Sequence, residues 1–96
     1  MLQKTVEKLH NCKASHCNTV RVTERYHGKL VWQGAVEVFK LSEGAPAKRC
    51  YAWNHLEGNK DEMTRVVTVL ELPPVTSAKT AVRAAIVAQY KQAKAN

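Results

Sequence analysis

Aromatic and β-branched residues crowd the middle of this chain in short runs separated by turn residues, and a sequence patterned in this way folds into strands. Asn18 to Tyr26 alternates Val20 and Val22 with Thr19, Arg21 and Thr23, the period of a half-buried strand. His27-Gly28 supplies a tight hairpin turn, with the glycine taking the positive φ that other residues resist. The next strand, Lys29 to Phe39, places Leu30, Trp32, Val36 and Val38 on one face and Val31, Gln33, Ala35 and Glu37 on the other. Gly34 interrupts that strand, and a bulge or bend is expected there. Ser42 to Pro46 is a loop by composition. A third strand covers Cys50 to Leu56, Glu57 to Glu62 is a polar turn, and a fourth strand covers Arg65 to Leu72. Every connection is too short to carry a crossover, so the four strands form an antiparallel meander.

Helices flank the meander. Leu2, Val6 and Leu9 lie on one stripe of a short helix that ends near His10 or Asn11. Pro73 and Pro74 end the last strand, and Thr76 or Ser77 stands where a helix N-cap is needed. From Ala78 to Lys94 the chain is alanine-rich and helical, with Ala78, Val82, Ala85, Ile86 and Ala93 on one narrow stripe and Tyr90 at its edge. The expected architecture is a single α+β domain over residues 1–96: a short N-terminal helix, a four-stranded antiparallel β-meander, and a C-terminal helix packed on one face of the sheet.

A 96-residue chain of ordinary globular composition buries only about two thirds of its unfolded surface. Its outlying property is a net charge of +7. That charge sits at the ends: residues 1–29 hold six basic and two acidic side chains, residues 30–75 five and six, and residues 76–96 four and none. Such a field attracts polyanions and also serves solubility. The N-terminal residues carry charges throughout and lack a secretory pattern, and no apolar run reaches the length of about 20 that spans a bilayer. Cys12, Cys17 and Cys50 cannot all pair within one chain and read as reduced thiols. A cytoplasmic protein without a membrane partner is expected.

Bases stack on aromatic faces while Lys and Arg neutralise phosphates, and Arg49, Tyr51, Trp53 and His55 share one face of the third strand. The competing reading, and the stronger one, packs Tyr51 and Trp53 into the core beneath the helix. His10, Cys12, His16 and Cys17 are soft ligands whose spacing does not match a zinc site, and they read as side chains of a connecting loop. Cys50 and His55 are five residues apart on one strand and so face opposite ways, which excludes them as a nucleophile and base. The carboxylates scatter over turns and a strand end, and the four glycines stand singly, so neither an acid/base pair nor a phosphate-cradling loop is present. No cofactor is implied.

In topology the chain resembles the double-stranded RNA-binding domain. Such domains resemble each other in a basic cluster opening the last helix, whereas Ser77-Ala78-Lys79-Thr80-Ala81-Val82-Arg83 supplies Lys79 and Arg83 but no run of lysines. This chain also has one strand too many, and no function is carried over. In kind, a stand-alone basic domain of this size is similar to the orphan products of bacterial mobile gene cassettes, a likeness that no motif carries. The expected function is a non-enzymatic binding module for an acidic partner, nucleic acid first. Its carriers are Lys79, Arg83, Lys91 and Lys94 on the last helix, helped by Lys4, Lys8 and Lys13. The alternative is a scaffold for a small apolar ligand or a peptide, bound in a cleft between sheet and helix lined by Trp32, Tyr51 and Trp53. The alanine-rich helix or an uncovered edge strand would also serve a homodimer.

Overall fold

The computed structural model describes residues 2–56 and 64–95, and the side chains of 2–54 and 66–89. Helix α1 (Leu2–His10) precedes strands β1 (Ala14–Tyr26), β2 (Lys29–Leu41), β3 (Arg49–Leu56) and β4 (Thr64–Leu70), and helix α2 (Ala78–Ala95) follows. The strands form one antiparallel sheet in the order β1-β2-β3-β4, so the α+β meander expected from the sequence is the fold. The polar turn expected at Glu57 to Glu62 lies outside the described residues.

Alternation divides the sheet into two apolar faces. Val22, Val36, Val38, Tyr51 and Trp53 point to one side, where Ala78, Ala81 and Val82 of α2 cover them. Phe39, Leu41, Cys50 and Ala52 point to the other, where Val6 of α1 and Ala14 complete a second, smaller core. The two helices therefore lie on opposite faces of the sheet. Local chemistry fixes each helix. Ser77 Oγ accepts from Thr80 N at 3.3 Å and Thr80 Oγ1 accepts from Ser77 N at 2.9 Å, a reciprocal cap that satisfies donors at the start of α2. At the end of α1, Asn11 takes a φ of 51° and Cys12 N donates to Glu7 O at 3.2 Å, the left-handed closure that stops a helix and reverses the chain.

Two sequence expectations need correction. The segment containing His16 and Cys17 is strand rather than connecting loop, because β1 begins at Ala14 opposite Leu41. A register shift between His16 and Asn18 breaks the alternation at Cys17, and that break concealed the strand's first turn of pairing. Conversely, Gly34 pairs with Val22 without any shift. Its missing side chain makes room for an indole: a Cβ there would stand 3.0 Å from Cη2 of Trp32.

Candidate anion-binding surface

Helix α1 turns Lys4 and Lys8, one helical turn apart, to the same exposed side. The reversal at Asn11 brings Lys13 back beside them, and Lys13 is anchored there by two main-chain bonds. Its N–H donates to Ser42 Oγ at 3.2 Å, and its carbonyl accepts from Ser42 N at 3.0 Å. Lys4, Lys8 and Lys13 consequently line one shallow, open depression of about 510 Å³, together with Glu7, Asn11, Cys12 and Ser42. Glu7 supplies its only carboxylate, and Glu7 Oε2 accepts from the Ala14 N–H at 2.8 Å. Among the described residues no carboxylate oxygen lies within ion-pair distance of the three ammonium groups. Three cations, a carboxamide and a hydroxyl around one opening form a donor set for phosphate oxygens.

On the other face, the described cations of α2 meet a carboxylate. Glu24 continues the buried stripe of Val20 and Val22 on β1 and is only 6% exposed. Arg83 Nε donates to Glu24 Oε1 at 2.7 Å, while Lys79 Nζ stands 3.9 Å from Oε2, which has no hydrogen-bond partner. Of the expected nucleic-acid carriers, Arg83 thus ties α2 to β1 and Lys79 stands beside the same carboxylate, although both side chains remain more than half exposed. The other two, Lys91 and Lys94, lie outside the residues whose side chains are described. Lys79 and Arg83 stand on the face opposite Lys4, Lys8 and Lys13, so a single flat contact meets one set or the other.

Of the aromatic residues expected to line a cleft, Tyr51 and Trp53 are core and Trp32 packs against them. Tyr51 and Trp53 are buried under α2, and Trp32 meets Trp53 edge-on at a centroid distance of 5.5 Å. The space bounded by Trp32, Trp53, Val67, Val82 and Ile86 is about 10 Å³, no more than one water needs. The Tyr51 hydroxyl donates to Glu71 Oε2 at 2.6 Å, and burial first, then that carboxylate, pushes its pKa up to about 12. Burial likewise pushes the Cys50 thiol up to about 11, a setting that suppresses thiolate formation.

His10 and His16 are also held apart. His10 Nε2 lies 3.1 Å from Thr68 Oγ1, while His16 Nε2 lies 2.7 Å from Glu37 Oε1. The Thr19 hydroxyl, donating to the same oxygen at 2.6 Å, holds the Glu37 carboxyl below the usual carboxylate range, with His16 adding to the effect and partial burial opposing it. Among the described residues no cluster of three metal-ligating side chains occurs, and no helix is long and apolar enough to cross a membrane. Comparison of the chain with protein-family models, with curated proteins and with solved structures gives no match.

Two signals for this arrangement were present in the sequence. Asn11, just past the last apolar position of α1, is a residue type that closes helices in the left-handed conformation, and Glu24 is a charge at an apolar position of an alternating strand.

Proposed function

We propose that this protein is a nucleic-acid-binding module that engages backbone phosphates through the α1 depression. The observation that carries this reading is the convergence of Lys4, Lys8 and Lys13, none of them ion-paired among the described residues, around one opening. Phosphates provide both the charge that ammonium groups attract and the acceptor oxygens that Asn11 and Ser42 satisfy. The net charge of +7 adds long-range attraction for a polyanion. With Tyr51 and Trp53 in the core and Trp32 packed against them, β3 offers no stacking platform, so binding tracks the backbone and is indifferent to sequence. Anisotropy titrations of labelled mixed-sequence DNA and RNA at low and moderate salt test this. Binding that weakens steeply with salt and varies little with sequence is expected; absence of binding at low salt overturns the reading.

A further inference from the structure

The two edges of the sheet are built differently. β1 carries register shifts at His16/Asn18 and Glu24/Arg25 and presents exposed Arg21 and Arg25, devices that discourage pairing with another strand. β4 has no register shift against β3, and Val66 to Leu70 contains neither a charge nor a proline. Glu71 N donates to Arg49 O at 2.9 Å, which turns this parity of residue toward β3. By antiparallel alternation, the N–H groups of Val66, Thr68 and Leu70 then point outward from the sheet. They open into a groove of about 690 Å³ that runs the length of the strand, walled by His10 on the α1 side and by Ala84, Ala88 and Gln89 on the α2 side.

We propose that this edge is a homodimer interface, in which β4 pairs antiparallel with β4 of a second copy about a two-fold axis through Thr68. That register sets Val66 opposite Leu70 and Val67 opposite Val69, apolar against apolar on both faces. The self-paired span Val66–Leu70 is about 17 Å long, with α1 and α2 layered on either side of it. A lone peptide strand would cover the β4 backbone but not the helix layers above and below it. Leu9 lies on the far side of α1 from Glu7, whose carboxylate faces β1; Leu9 is 59% exposed, and Ala88 is exposed on α2. A second copy brings its own helices into both layers, and the bare Ala84 and Ala88 wall lets the two α2 helices approach closely. An axis perpendicular to the sheet keeps both α1 depressions on one side of the eight-stranded assembly.

Light scattering coupled to gel filtration of the full chain, from about 1 to about 100 μM, tests it. The expected mass is twice 10.7 kDa at the upper concentrations, returning to 10.7 kDa in Thr68→Pro, which deletes an outward N–H, and in Ala88→Glu, which places like charges across the axis. If Thr68→Pro does not fold, Ala88→Glu decides alone, because its helix position is exposed. A wild-type chain that stays at 10.7 kDa throughout overturns the proposal, and so does a dimer that Ala88→Glu leaves intact.

Discussion

On the α2 face, Arg83 and Lys79 close on the buried carboxylate of Glu24; on the α1 face, Lys4, Lys8 and Lys13 surround an opening whose one carboxylate is bonded to the backbone. The same residue types serve two purposes because of what lies beneath them. A carboxylate removed from water needs a charged partner in place, so the cations above it become part of the fold. Where the layer beneath is apolar, as under α1, the cations face outward and remain available to a ligand. The basic character of a helix therefore says little about binding until the acidic groups of the opposing strand are placed.

The largest effects that sharpen this contrast come from the two cores. Trp53→Ala beneath α2 and Phe39→Ala beneath α1 are each expected to cost about 3–5 kcal/mol in urea unfolding, as large-to-small changes at buried aromatic sites do. Similar losses on both sides would show that each helix is integral to the fold, whereas a Phe39→Ala variant as stable as the wild type would break the two-core account. Next comes the ion pair. Arg83→Ala leaves Glu24 without its close partner and is expected to cost about 1–3 kcal/mol, reduced from a fully buried pair by the exposure of the guanidinium. Lys79→Ala, with its ammonium 3.9 Å from the carboxylate, should cost under about 0.5 kcal/mol. Equal costs would contradict the assignment of Arg83 as the tie between α2 and β1.

A smaller effect is set by pH. Folding lowers the pKa of Glu37 from its ordinary 4.5, so the unfolded chain binds the proton more readily. The stability this carboxylate contributes is present above that value and disappears as pH falls through the folded-state pKa. Glu37→Gln should therefore flatten the acid limb of the urea midpoint plotted against pH; superimposable curves for variant and wild type would refute the contribution of Glu37.

The strands were legible because alternation, turn residues and short connections all favour one meander, and Thr76 or Ser77 marked the start of α2, with Ser77 making the cap. The placement of α1 was not, since the stripe of Leu2, Val6 and Leu9 says that a helix buries one side without saying which face of the sheet receives it. The early start of β1 was hidden by the irregularity at Cys17. The charge pattern of the sequence makes Lys4, Lys8 and Lys13 helpers of a surface on α2, yet the reversal at Asn11 gathers them on the other face. The pairing of Arg83 with Glu24 spans 59 residues, and only the oddity of a charge between apolar neighbours hinted at it.

The salt dependence of DNA binding, compared between a Lys4→Gln/Lys8→Gln/Lys13→Gln triple variant and Lys79→Gln, tests the division of labour most directly. Each phosphate contact contributes roughly 0.7–0.9 to the slope of log affinity against log salt, so the triple variant should lose about 2–3 from the wild-type slope while Lys79→Gln changes it by less than about 0.5. A slope that survives loss of the three α1 lysines and collapses with Lys79→Gln would contradict the account.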